Sequence, residues 1–106
     1  MSYSHIIVYI TVPSRDVGEQ IARTLVEKNL AACVNISPGI CSIYKWQGEI
    51  NQDNELLLIA KTRTSLFEQL ETTVKQLHPY DVPEVIGTPI IMGSNKFLTW
   101  INVETA

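Results

Sequence analysis

The chain has 106 residues and a mass of 11.9 kDa, which is the size of one domain able to bury about 65% of its extended surface without metals or disulfides. Its 8 Lys plus Arg against 11 Asp plus Glu leave a net charge of −3, and the resulting pI of about 5.2 excludes a broad phosphate-binding face and, with it, nucleic acid as a partner. Charged residues make up only 18% and apolar ones 45%, against about 25% charged in an average domain, a balance that favours hiding part of the surface in an oligomer.

The N-terminus, Met1 to His5, carries no basic stretch before Ile6, and Thr11, Pro13, Arg15 and Asp16 interrupt the apolar run that a signal peptide needs. No apolar stretch approaches the ~20 residues of a membrane helix, so a cytoplasmic protein is expected. Ile6 to Val12 is a nearly continuous, β-branched run that reads as a buried central strand. Pro13-Ser14 breaks it. Asp16 and Glu19 then fit a capping box for a first helix, whose apolar face is Val17, Ile21 and Leu25 with Ala22 alongside. Asn29 is placed to end that helix in a left-handed conformation.

Ala31 to Trp46 reads as one long extended segment, with a change of alternation phase at Pro38-Gly39 that signals a bulge. Gln47-Gly48 is a turn, and Glu49 to Arg63 returns as a second long strand. Ser65 and Glu68 offer a capping box for a second helix along Leu66, Leu70, Val74 and Leu77, which His78-Pro79 ends. Val85 to Met92 is read as a fourth strand with Pro89 at an edge, and Ser94 caps a short last helix through Phe97, Leu98 and Ile101. Strand, helix, strand, strand, helix, strand and a short helix in residues 1–106 make a single α+β domain, the ferredoxin-like split βαβ sandwich with an antiparallel sheet and an extended central hairpin. Right-handed crossovers put both main helices on one face of that sheet.

The central hairpin is too long for the domain it belongs to. Ala31 to Trp46 spans roughly 54 Å if straight, whereas a compact domain of this size is about 35 Å across. Ile40, Ile43, Tyr44 and Trp46 lie on the overhanging part and, with Trp100, are expected to form a subunit interface. Closed symmetry is the usual way to satisfy such edges.

The two cysteines, Cys33 and Cys41, are not in a Cys-x-x-Cys pattern and on one straight strand stand too far apart for a disulfide. Cys33 reads as a buried inert thiol and Cys41 as a more open one. The loop Tyr80-Asp81-Val82-Pro83-Glu84 sits between rigid elements, as binding loops do. Lys61, Tyr80, Asp81 and Glu84 are its candidate crevice, suited to an anionic or polar small ligand. Equally, the prolines serve to steer the chain into the last strand. There is no Gly-rich phosphate loop followed by Lys-Ser or Lys-Thr, and no residue is assigned a catalytic role.

Ala31-Ala32-Cys33-Val34-Asn35, Pro38-Gly39, Tyr44 to Ile50 (YKWQGEI), Leu58-Ile59-Ala60-Lys61-Thr62, His78 to Val85 (HPYDVPEV), Pro89-Ile90 and Phe97-Leu98-Thr99-Trp100 together resemble the CutA divalent-cation-tolerance family along essentially the whole chain. The resemblance implies a non-enzymatic homotrimer of ferredoxin-like subunits tied to copper or other divalent-cation tolerance, with inter-subunit strand pairing. Through its likeness to PII-type signalling trimers it also implies a small-ligand sensor with sites in subunit crevices, and an enzyme with an interface active site stands third. Some mammalian members are linked to acetylcholinesterase anchoring, so a further protein partner is open. The family's copper site uses a cysteine near the end of the first strand and two adjacent histidines before the Pro-Tyr pair. Here those positions are Ile10, Leu77 and His78. Copper favours thiolate and imidazole, so His78 alone implies at most weak binding of Cu²⁺ or another divalent cation, and no certain cofactor. The other reading of His78 is structural, closing the helix before Pro79.

Overall fold

The computed structural model describes residues 3–106; Met1 and Ser2, part of the N-terminal stretch without basic residues, lie outside the described residues. The elements are β1 (His5–Val12), α1 (Arg15–Glu27), β2 (Cys33–Trp46), β3 (Glu49–Arg63), a 3₁₀ turn (Thr64–Leu66), α2 (Phe67–Leu77), β4 (Val85–Pro89) and α3 (Asn95–Glu104). The strands form one sheet in the order β2-β3-β1-β4, with every neighbouring pair antiparallel. This is the ferredoxin-like arrangement expected from the element order.

The core follows from two periodicities. Ile6, Val8, Ile10 and Val12 of β1 are buried in alternation and pair with Thr62, Ala60, Leu58 and Leu56 of β3. Ile21 and Leu25 of α1 and Leu70 and Val74 of α2, spaced four apart, close over that face. Gly18 lets α1 approach closely. A methyl group added there would stand 3.1 Å from Val12 Cγ2 and 3.4 Å from Leu58 Cδ2.

The opposite face is a different matter. Residues out of phase with the core are Ile7, Tyr9 and Thr11 on β1, Leu57 and Ile59 on β3, and Ile86 on β4. Most are half-buried, and Ile86 is exposed. α3 is tied down at one end of this face, where His5 Nε2 meets Asn102 Oδ1 at 2.8 Å and Arg63 donates to Thr105 Oγ1 at 2.8 Å and to its carbonyl at 2.6 Å. The face is apolar, unlike the polar outer face of an antiparallel sheet left to water.

β1 ends at Val12, opposite Leu56, but β3 begins at Glu49. From Glu49 to Glu55, β3 is paired only with Ile40 to Trp46 of β2. This two-stranded ribbon runs about 24 Å past the sheet. It accounts for a radius of gyration of 14.3 Å and an extent of 44 Å, against about 13 Å for a compact domain of this length. The ribbon closes at Gln47 (φ 51°) and Gly48 (φ 83°), two consecutive left-handed residues that match the twist of a hairpin. At Pro38-Gly39 the register slips between Ser37 and Ile40, with Gly39 at φ 82°. The extra residue reverses the alternation of β2. Ile40, Ser42, Tyr44 and Trp46 consequently share a face with Glu55, Asp53, Asn51 and Glu49.

Several details differ from the sequence expectation. The first helix is capped by Ser14, whose Oγ accepts from the Val17 N–H at 3.3 Å, and Asp16 lies inside the first turn. Ser65 and Glu68 form no capping box, because Thr64–Leu66 is spent on a 3₁₀ turn, and α2 starts at Phe67 without a side-chain cap. β4 stops at Pro89 rather than Met92, since β1 offers it no partner beyond His5. Cys33 is half-buried rather than buried, because it lies on the open face at the edge strand; both cysteines are free, and Cys41 is exposed. Asn29 does take φ 59° just after α1, and Ser94 does cap α3.

The cap assignment is testable. Ser14→Ala is expected to cost about 1 kcal/mol in urea unfolding, and Asp16→Ala measurably less. The reverse order would return the cap to Asp16.

Candidate functional site

Where β1 stops and β3 carries on, the sheet leaves a step, and the segment after α2 drops into it. Pro79 cannot continue the helix, and His78 turns extended at φ −85°, ψ 135°. The His78 ring then joins the segment to the sheet. Its Nδ1 accepts the Tyr80 backbone N–H at 3.2 Å, and its Nε2–H donates to the Thr11 carbonyl at 2.7 Å. The ring is 7% exposed and lies 4.7 Å from the Tyr80 ring, centre to centre.

The result is a half-open cleft of about 760 Å³. One wall is Ser42 to Trp46 of the ribbon and the other is the loop from Tyr80 through Val82 to Glu84, with Thr11 and Glu55 between them. Glu55 is 5% exposed. It accepts a hydrogen bond from the Tyr80 hydroxyl at 3.1 Å. Tyr44 donates likewise to Asp53, on the same face of the ribbon. Burial first, then the charge and hydrogen bond of Glu55, push the Tyr80 phenol up to about 12. The hydrogen bond to Asp53, then burial and the Asp53 charge, raise Tyr44 as well.

Of the expected crevice residues, the structure brings Tyr80, Asp81 and Glu84 together around this cleft. Lys61 is elsewhere. It lies about 20 Å along β3 from Glu55, and its Nζ donates to Asn35 Oδ1. The reason is register: Lys61 pairs with Ile7 and Cys33 at the far end of the sheet. Ile43, Tyr44 and Trp46 are exposed on the ribbon, and Ile40 is half-buried at its root. Trp100 is exposed on α3, its ring 5.6 Å from that of Phe97, at the opposite end of the sheet. Glu55 is the site residue that the sequence reading missed. Its signal was a lone acid in phase with Leu57 and Ile59 on the open face.

The three positions that match the family's copper ligands do not fit the ion. Ile10 is fully buried in the core, Leu77 packs against the core, and both nitrogens of His78 are engaged by backbone. Among the described residues no group of three or more His, Cys, Asp or Glu is placed to hold a metal. Among the described residues no helix is long and apolar enough to cross a membrane.

The Tyr80 environment has a sign that can be checked. Between about pH 10 and 12 the folded chain keeps a phenol proton that the unfolded chain has lost, so this group's stabilisation is complete below pH 10 and falls away through that window. Absorbance at 295 nm should show a phenol titrating near pH 12 that is missing from Tyr80→Phe. An unchanged titration in the variant would refute the assignment.

Comparison with known proteins places this geometry in a family. The family model "CutA1 divalent ion tolerance protein" matches residues 6–104. The chain is 54% identical over 99 residues to the "Divalent-cation tolerance protein CutA" of Thermus thermophilus, covering 93% of this chain and 96% of that one. It is 53% identical over 100 residues to the chloroplastic CutA of Arabidopsis thaliana, covering 94% of this chain and 55% of that protein's length, so it spans about half of the plant relative. The solved structure of Cut A1 from Thermus thermophilus superposes with a TM-score of 0.94 at 52% identity, covering 96% and 99% of the two chains. With nearly every residue of fold and cleft inside the matched span, the chain belongs to the CutA1 divalent ion tolerance protein family.

Proposed function

We propose that residues 1–106 form one non-enzymatic subunit of a homotrimer that serves the response to divalent cations. The observation that carries the assembly is the ribbon of Ile40–Trp46 and Glu49–Glu55, which has no third strand and exposes Ile43, Tyr44, Trp46 and Ile50. An unpartnered ribbon of this kind invites strand addition from another copy. The apolar open face of Ile7, Tyr9, Leu57, Ile59 and Ile86 adds to the same pressure. The ribbon and Trp100 lie at opposite ends of the molecule, so an interface joining them is head-to-tail, and head-to-tail contacts close into rings. Three copies is the number the family resemblance implies. The role in cation response rests on relatives such as the "Divalent-cation tolerance protein CutA" of Thermus thermophilus.

Any Cu²⁺ or other divalent cation is then bound weakly, and not by Ile10, Leu77 and His78. A second reading, a small-ligand sensor, is favoured by one specific feature: a cleft between ribbon and loop with a buried carboxylate in it.

Sedimentation tests the assembly. The wild type should run at about three times 11.9 kDa at micromolar concentration. Trp46→Asp should run as a smaller species with its circular dichroism retained, because a carboxylate buried in an apolar contact is costly. A stable wild-type monomer, or a Trp46→Asp trimer, would count against this interface. Calorimetric titration with Cu²⁺ should reveal no one-to-one micromolar site. His78→Ala should lower stability by about 1–3 kcal/mol by leaving the Thr11 carbonyl and the Tyr80 N–H without their partner. A stoichiometric copper site abolished in that variant would overturn the metal reading.

A further inference from the structure

We infer that each copy of the chain lends its Lys61 to a neighbour, where the ammonium is the cationic partner of the buried Glu55 carboxylate. This rests on the homotrimer reading and names a residue pair that sets the copies in register.

The open face of the sheet is electrically polar along its length. On β3 its alternate residues run from Asp53 and Glu55 in the ribbon, through Leu57 and Ile59, to Lys61 and Arg63. The neighbours of the two acids across the ribbon, Ser42 and Ile40, bring no cation. Those of Lys61, Ile7 and Cys33, bring no acid.

Two groups in this column lack an opposite charge. Glu55 is 5% exposed, and a carboxylate so placed is costly unless it is paired. The Tyr80 hydroxyl satisfies its Oε2 alone. Lys61 is half-buried, and its Nζ donates to the neutral Asn35 Oδ1, although an ammonium has three hydrogens to give. The ion pairs among the described residues are Arg15–Glu19 and Lys75–Glu71, both on helix surfaces. Arg63, by contrast, is spent on the hydroxyl and carbonyl of Thr105. Glu55 and Lys61 cannot meet within one chain, because the strand between them holds them about 20 Å apart.

Head-to-tail association removes both deficits at once. The ribbon has no third strand and is the part of the chain offered to another copy. Laid with its acid end over the basic end of the next copy's open face, it brings Glu55 against Lys61. The ribbon is then covered by protein, and the carboxylate is buried as half of a pair. Each copy gives its carboxylate to one neighbour and its ammonium to the other, so identical contacts repeat around a ring. The same charges disfavour dockings that set acid on acid.

A water-soluble carbodiimide, which joins a carboxylate and an amine in contact as an amide, tests the pair on the native assembly. Peptide mass spectrometry of the covalent dimers and trimers should find Glu55 joined to Lys61, a link that one chain cannot span. Glu55→Gln and Lys61→Met should each abolish it. Glu55 joined to Lys45 or Lys96, or no Glu55 link at all, would overturn the inference. A mutant cycle read by sedimentation, with enough urea to bring the wild type into range, is independent of the chemistry. Glu55→Gln keeps an oxygen for the Tyr80 hydroxyl, and Lys61→Met keeps the apolar stem. Each should raise the concentration of half-dissociation at least tenfold. The double variant should add no more than about threefold to the larger single effect. Single effects that multiply in the double variant would overturn the pair as well. If Glu55→Gln fails to fold, the link in the wild type decides. A wild-type trimer without the link defeats the pair and leaves the assembly standing, whereas a wild-type monomer defeats the assembly reading itself.

Discussion

A strand needs two neighbours to be an interior strand, and β3 has two only for part of its length. From Leu56 to Arg63 it lies between β1 and β2; from Glu49 to Glu55 it has β2 alone. A two-stranded ribbon in water is marginal by itself. This mismatch between the lengths of β1 and β3 creates the step at the end of the sheet, the cleft that occupies the step, and the ribbon with its exposed apolar residues. The exposed ribbon and the cleft are therefore two outcomes of one difference in strand length.

The step is filled by chemistry that is polar but economical. His78 uses both ring nitrogens on backbone groups, one on β1 and one on its own loop, and so fixes where Tyr80 stands. Tyr80 in turn reaches Glu55. A residue at a position associated with metal binding is here the hinge pin of a cleft. With Ile10 in the core and Leu77 packed on it, the imidazole has no ligand set to join, and its hydrogen bonds describe its work more directly than coordination would.

Much of the fold could be read from local chemistry. Gln47-Gly48, Asn29, Ser94 and Pro38-Gly39 each mark a backbone conformation that neighbouring residues alone dictate, and the structure puts a turn, a left-handed residue, a cap and a bulge at those places. The open face and the overhang followed from alternation and length. What was not legible depended on partners distant in sequence. Ser14 and Asp16 are both good caps, and only the direction in which the chain leaves β1 chooses between them. Ser65 and Glu68 have the right spacing, but the chain must first turn off β3 and spends Thr64–Leu66 doing so. Lys61 and Glu84 were grouped by residue type, and register separates them. Glu55 drew no attention because a strand-borne acid looks solvated until a tyrosine twenty-five residues later closes over it.

The single surplus residue at Pro38-Gly39 has a wider consequence. Upstream of it, Val34 and Ile36 point into the core; downstream, the residues with which they are in step point the other way. One strand thus serves two environments with opposite parity. The connection there behaves as a phase shifter, taking up one residue of β2 that has no partner of its own on β3. Loss of the surplus residue would close the bulge and leave Ile40 opposite Glu55 and Tyr44 opposite Asn51, so the bulge changes the parity of the numbering along the strand and not the face that the aromatic residues occupy.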